Sequence, residues 1–174
     1  MSLKGHLLAI LLLPVTVILG VPFLLLVFSV WIGIPWLFIY PITFWTFIVG
    51  IIFIGFGVYV LYKTNRVFVQ VGKGTLSPWA PTQRFVAVGL YRYVRNPMII
   101  GVLLTVLGEA IFVGSTLIFL WFVLFWMTNH IWFVRWEEPD LERRFGDVYC
   151  EYKTNVPRWI PRRTPWSPDS TRNE

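Results

Sequence analysis

The sequence predicts an all-α, polytopic integral membrane protein of about four transmembrane helices, with a C-terminal helical hairpin and an amphipathic surface helix. Three observations carry that expectation. The chain of 174 residues is 56% hydrophobic, 18% aromatic and only 14% charged, and a soluble domain of this size has too little interior to hide so much apolar surface. Lys4 is the only ionised side chain before Lys63, and an apolar stretch of that length reads as membrane spans. The basic residues are also placed asymmetrically: fourteen of the fifteen Lys and Arg follow Tyr62, and none falls in the turns at residues 31–36 or 114–115.

Residues 7–31 form the first predicted span. Its apolar run is too long for the core of a cleavable signal peptide and no small-residue cleavage site follows, so the segment is expected to be retained. Pro14 and Pro22 predict a kink or tilt, which a membrane helix tolerates when neighbouring groups satisfy the freed carbonyls. Gly33 and Pro35, flanked by Trp31 and Trp36, predict a tight turn at an aromatic interface, with the second span over residues 34–62. Gly50, Gly55 and Gly57 in that span predict close packing of another helix. From residue 63 to 93, Gly72, Gly74, Pro78 and Pro81 punctuate a polar connector with no sustained period. The third apolar segment, residues 98–112, covers about 22 Å as a helix, short of a ~30 Å hydrocarbon core. It is expected to pair with a fourth, residues 116–134, as a hairpin turning at Gly114 and Ser115. Residues 140–152 place Leu141, Phe145, Val148, Tyr149 and Tyr152 at helical spacing opposite Arg143, Arg144, Asp147 and Glu151, an amphipathic surface helix. In domain terms these are two N-terminal membrane helices (1–62), a functional region (63–163) and a basic, polar tail (164–174).

By the positive-inside rule, the N-terminus, residues 63–95 and the tail from Arg135 face the cytoplasm. The formal charge of +6 is thereby expected to meet anionic lipid headgroups rather than nucleic acid, and the lipid bilayer is the expected partner. A single cysteine, Cys150, excludes an internal disulfide and a cysteine-based zinc site. No P-loop, dinucleotide fingerprint, metal-ligand spacing or Ser-His-Asp arrangement is present, so no metal is expected.

Two constellations carry chemistry. The run from Gly89 through Tyr91, Arg92 and Arg95 to Asn96 and Pro97 gathers donors where the third span starts. Asn96 suits a helix N-cap and Pro97 the first helical position, and that is the plain structural reading. The functional reading is an anion site made of free backbone N–H groups and two arginines, with Gly101 allowing a ligand to come close. The second constellation is Glu137-Glu138 at the cytoplasmic end of the fourth span. Carboxylates at a helix C-terminus oppose its dipole and need compensating partners, for which Arg92 and Arg95 are candidates. His130, seven residues before Glu137, falls on the same helical face, either as a functional group or as a satisfied packing histidine. Glu109 is an ionisable group inside an apolar helix, about 18 Å along it from Pro97, and is read as structural.

Taken together and in this order, the residues resemble the isoprenylcysteine carboxyl methyltransferase family, relatives of the membrane phospholipid methyltransferases. That family looks like G-x-Y-R-x-x-R-[HN]-P-x-Y-x-G, a helical hairpin, E-E, F-G-x-x-Y-x-x-Y and V-P-x-x-I-P. Here the parts are Gly89 to Gly101, Glu137-Glu138, Phe145-Gly146 with Tyr149 and Tyr152, Val156-Pro157 and Ile160-Pro161. The stretch Gly74-Thr75-Leu76-Ser77-Pro78-Trp79 is similar to bacterial members. The resemblance implies methyl transfer from S-adenosylmethionine in a cytoplasm-facing pocket to a lipophilic acceptor, such as a prenylcysteine-type carboxylate or a phospholipid amine. It implies cofactor contacts from Gln83, Arg84, Phe85, Val86, Tyr91, Asn96, Pro97, Met98, Ile99, Gly101, Glu137 and Glu138, with Arg95, Asn96 and Glu137 at the reacting centre. Asn96 stands where many members have histidine, and Ile99 where many have tyrosine. The reading from another class is a non-enzymatic membrane scaffold or small transporter that keeps the motif as a helix start; binding of S-adenosylmethionine separates the two.

Overall fold

The computed structural model describes residues 14–34, 43–71, 85 and 87–167, and every regular element among them is helical. A π-helical turn at Thr16–Gly20 leads into α1 (Val21–Ile32). The helix α2 spans Thr43–Val71, a 3-10 turn covers Gly89–Arg92, and α3 spans Pro97–Val113. Then α4 (Thr116–Trp132) passes through a second π turn (Phe133–Glu137) into α5 (Glu138–Phe145), and α6 (Asp147–Asn155) comes after it.

Each boundary has a local cause. Gly33 ends α1 with φ +74°, and both its N–H and that of Ile34 donate to the Ser29 carbonyl. Gly114, at φ +71°, ends α3 in the same way, and the Ser115 hydroxyl accepts from the Ile118 N–H at 3.4 Å to start α4. The turn thus lies where the sequence places it. Both π turns stand just ahead of a proline, Pro22 in one case and Pro139 in the other. Proline has no N–H for the carbonyl four residues back and its ring presses on that carbonyl, so the preceding turn widens to i→i+5 bonding. The kink expected at Pro22 takes this form.

Three expectations change. The second apolar helix does not end at Tyr62: α2 runs on to Val71, so 29 residues rise about 43 Å and carry Lys63 and Arg66 beyond the apolar run. The single amphipathic helix expected over 140–152 is two helices, because Gly146 adopts φ +57° and breaks it. The fourth span does not stop at Val134 either; one helical run continues from Thr116 to Phe145. Ile34, the expected start of the second span, lies instead in the turn that closes α1, while residues 35–42 and most of the connector lie outside the described residues.

The tightest packing is between α2 and α3. A Cβ added at Gly57 would sit 2.7 Å from the Gly101 carbonyl oxygen, and one at Gly108 would sit 2.8 Å from that of Gly50. Two glycine pairs seven residues apart on each helix therefore let the backbones touch, as small residues do in membranes. This accounts for Gly50 and Gly57; Gly55 has nothing within 4 Å of its added Cβ and takes no part. Val102, Val106, Ala110 and Ile118 form the core beside this contact.

The outside is apolar. Phe23, Leu24, Val27 and Trp31 on α1, Phe44, Trp45, Ile52 and Phe56 on α2, and Leu120, Leu124 and Met127 on α4 are all exposed. Among the described residues, two helices are long and apolar enough to cross a membrane, Phe44–Val67 and Thr116–Phe145, and only 22% and 11% of their apolar windows are buried. The core helix of a soluble protein would be mostly buried, whereas these faces require an apolar solvent. Shorter apolar helices cover Thr16–Ile32 and Pro97–Val113.

Candidate functional site

The site forms where the segment before α3, the π turn before α5 and the C-terminal tail meet. The tail runs antiparallel to the entry into α3. Arg95 N–H donates to the Pro157 carbonyl, Arg162 N–H to that of Tyr93 and Trp166 N–H to that of Arg92, each at 2.9 Å. Arg92 Nε returns a bond to the Trp166 carbonyl, and the Tyr152 hydroxyl donates to the Tyr91 carbonyl at 2.7 Å. Buried Tyr149, Tyr152, Val156 and Trp166 hold this corner together, with Phe85 stacked edge-on against Tyr152 at 4.9 Å. The packed region thus continues past residue 163 to Trp166.

Glu138 is its electrostatic centre. The side chain is only 5% exposed, yet its carboxylate meets three cations. Oε1 accepts from Arg95 Nη1 at 2.7 Å and from Arg158 Nε at 2.6 Å, and Oε2 accepts from Arg158 Nη2 at 2.8 Å. Lys153 Nζ lies 3.4 Å from Oε2 and is shared with Glu142. A carboxylate so occupied has no lone pair left for a ligand, so Glu138 is a clamp rather than the cofactor contact expected of it. The dipole argument also changes: the helix does not end at Glu137-Glu138, so the need for cations comes from burial. Arg95 answers it as the sequence suggests, while Arg92 is committed to Trp166.

Glu137 differs from its neighbour in every respect. It is half-buried, and no described residue forms a hydrogen bond or ion pair with it. Its charge is felt nearby: burial first, and then Glu137, push the Tyr91 hydroxyl above its ordinary range. Tyr149 is pushed up to about 12, mainly by burial and then by Glu138, with Arg95 opposing. Adjacent residues on a helix point about 100° apart, so the two carboxylates enter different surroundings. The π turn adds one residue between His130 and the end of Phe133–Glu137, which turns Glu137 away from the face of His130.

His130 proves to be a packing residue. Its Nδ1 accepts from Trp159 Nε1 at 3.0 Å, which places the ring proton on Nε2, and Trp126 lies beside it at 5.9 Å. It fastens the tail to α4.

Two further polar groups at the corner lack partners among the described residues. Arg95 Nε is buried without an acceptor among the described residues. Asn96 occupies the N-cap position of α3 but its side chain makes no capping bond, so the plain capping role fails and its amide remains available. Other expected residues serve packing. Pro97 is fully buried, and the space left by Gly101 is filled by Leu61 and the Gly57 carbonyl of α2 rather than by a ligand. Phe85 belongs to the aromatic cluster, and Met98 and Ile99 are half-buried in the first turn of α3. Gln83, Arg84 and Val86 lie outside the described residues. Glu109 keeps one buried carboxylate oxygen without a partner among the described residues, far along α3 from the site. Among the described residues, no group of three His, Cys, Asp or Glu side chains gathers to hold a metal ion.

Residues 45–148 match the phospholipid methyltransferase family, and this stretch is more than half of the chain. The chain belongs to that family. It is thus a membrane protein of the methyltransferase class that includes the isoprenylcysteine-type enzymes which its motifs resemble. A Haemophilus influenzae protein described as uncharacterized is 33% identical over 63 residues, which is 36% of this chain and 100% of that one. In this phospholipid methyltransferase-family member, Arg158 is the site residue that sequence reasoning misses. It sits in the unassigned part of Val156-Pro157 to Ile160-Pro161, and only its position between two prolines marks it.

Proposed function

We propose that the chain is an integral membrane methyltransferase that uses S-adenosylmethionine to methylate a lipophilic acceptor. It crosses the membrane four times, and the site and both termini face the cytoplasm. The observation carrying this reading is the paired environment of Glu137 and Glu138: one carboxylate saturated by cations, the next left without any. A carboxylate kept unpaired beside buried arginines suits a ligand that brings its own positive charge or hydroxyl groups.

The residues fit such a donor. Glu137 is placed to accept from an ammonium or from ribose hydroxyls, the unpartnered Arg95 Nε to donate to a carboxylate, and the free Asn96 amide to do either. When bound, the sulfonium compound supplies an activated methyl group that needs no metal. What the chain supplies is alignment, with the tail and the Glu138 clamp holding Arg95 and the start of α3 in a fixed relation. The exposed apolar faces of α2 and α4 give a lipophilic acceptor its approach.

The acceptor in this reading is a prenylcysteine-type carboxylate, which attacks ionised and needs no base. A phospholipid amine is the second reading, favoured by the family description. An amine must lose a proton, and Glu137, without a cation to hold it ionised, is the group at the site able to take one.

Calorimetry with S-adenosylmethionine tests the proposal on the detergent-solubilised protein. Wild type should bind and Glu137→Gln should bind weakly at an unchanged thermal midpoint. Absence of binding by wild type would favour the scaffold or transporter reading, and equal affinity in Glu137→Gln would remove this residue from the pocket.

A further inference from the structure

A second site lies on the side of the molecule formed by α2. A cleft of about 440 Å³ opens between α2, the 3-10 turn and the tail, lined by Tyr59, Lys63, Gly89, Arg92, Tyr93 and Pro165 among others. That volume is within the ~300–1,000 Å³ of small-molecule sites. We propose that this cleft binds the phosphodiester of an anionic membrane lipid, as a site separate from the methyl-transfer pocket.

The charge balance of the cleft comes first. Lys63 and Arg92 both line it, no carboxylate does, and neither forms an ion pair among the described residues. The other buried or half-buried cations of this region, Arg95, Lys153 and Arg158, are all neutralised by Glu138 or Glu142. Two uncompensated cations therefore face one space, and Arg92 is held there because its Nε is fixed by the Trp166 carbonyl. Such a pair suits an anion with several acceptor oxygens.

The level of the cleft decides between lipid and soluble anion. Lys63 is the first charge after the apolar run of α2, and the helix exposes Phe56, Tyr59 and Tyr62 just before it. Lys63 lies over the Tyr59 ring at 5.7 Å, and Arg66 over that of Tyr62 at 5.7 Å. Tyrosines alternating with cations at the end of an apolar helix mark the headgroup layer. A phosphate seated between Lys63 and Arg92 has its acyl chains directed along an exposed apolar face. No described carboxylate lines the cleft to offset a choline or ethanolamine ammonium, and Lys63 and Arg92 repel it, so an anionic headgroup is preferred to a zwitterionic one.

Native mass spectrometry of the full chain in detergent, without cofactor or acceptor, tests this independently of methyl transfer. The probes are dioleoylphosphatidylglycerol, dioleoylphosphatidylcholine and inorganic phosphate. Phosphatidylglycerol should be retained in preference to phosphatidylcholine and should resist competition by inorganic phosphate. Lys63→Gln should weaken its binding about fivefold, as one interfacial cation contributes, and Lys63→Arg should restore it. Lys63 is exposed, so an unchanged thermal midpoint confirms that Lys63→Gln is folded, and Arg143→Gln on α5 should bind as wild type does. Equal retention of the two lipids, displacement by inorganic phosphate, or wild-type binding by Lys63→Gln would each overturn the assignment.

Discussion

Replacing Glu138 by glutamine changes few atoms and removes the charge at the centre of the clamp. The amide keeps one acceptor oxygen, but its NH2 then faces a donor, either Arg158 Nη2 or the Arg95 and Arg158 nitrogens at Oε1, which lie 2.6–2.8 Å away. Two guanidinium groups, only 11% and 17% exposed, are left without a counter-charge. Breaking a buried pair by removing one partner costs about 3–5 kcal/mol. Arg158 retains some access to water and Lys153, at 38% exposed, contributes little, so the lower end applies, about 3 kcal/mol. For a chain of this length that lowers the thermal midpoint by roughly 6–12 °C. Tryptophan fluorescence during heating in detergent reads it, with Glu137→Gln as the internal comparison. The two variants make the same chemical change one residue apart, yet only Glu138→Gln should melt early. The difference should persist at molar salt, because buried charges are weakly screened. Equal midpoints for the two variants would refute the clamp.

The same geometry sets other outcomes. Gly57→Val should destabilise by about 1–3 kcal/mol by forcing α2 off α3, whereas Gly55→Ala should be neutral or stabilising, both read by denaturant unfolding in detergent. Asn96→Ala should cost less than the ~1 kcal/mol of a true cap, while Asn96→Asp should lose S-adenosylmethionine binding and Asn96→His should retain some, by calorimetry. Tyr149 has its pKa raised from 10.0 to about 12, so the folded state keeps the proton more tightly than the unfolded one. Its contribution is intact below pH 10 and is lost as pH rises towards 12, and Tyr149→Phe should shift alkaline unfolding to higher pH. Cysteine labelling at Ser2, Thr82 and Ser170, in a chain with Cys150→Ser, should report one shared side of the membrane; a split result would overturn the four-span topology.

Apolarity along the chain is enough to foresee a helical membrane protein, because composition over long windows is insensitive to the details of packing. Helix ends at Gly33 and Gly114 are legible for a local reason, since the left-handed residue is written in the sequence as glycine. The π turns are not, although Pro22 and Pro139 cause them; at 3.6 residues per turn, Glu137 and His130 share a face that one inserted residue separates. Gly101 reads as room for a ligand, since its match to Gly57 depends on an interhelix register that neither helix encodes alone. Arg95 as partner of Glu138 can be anticipated from the motif. Arg158 cannot, since a charge 20 residues away has no periodicity to announce it.

The strap formed by residues 157–166 bears on how the protein is made. Synthesis delivers the start of α3 and Glu138 well before Arg158 and Trp166, so the clamp lacks its bidentate arginine until the tail has been made. The pocket corner can close only when residues through Trp166 have left the ribosome, after α2 and α4 are already available to the bilayer. A chain that stopped before Arg158 would therefore carry the apolar helices α1 to α4 with an unfinished site.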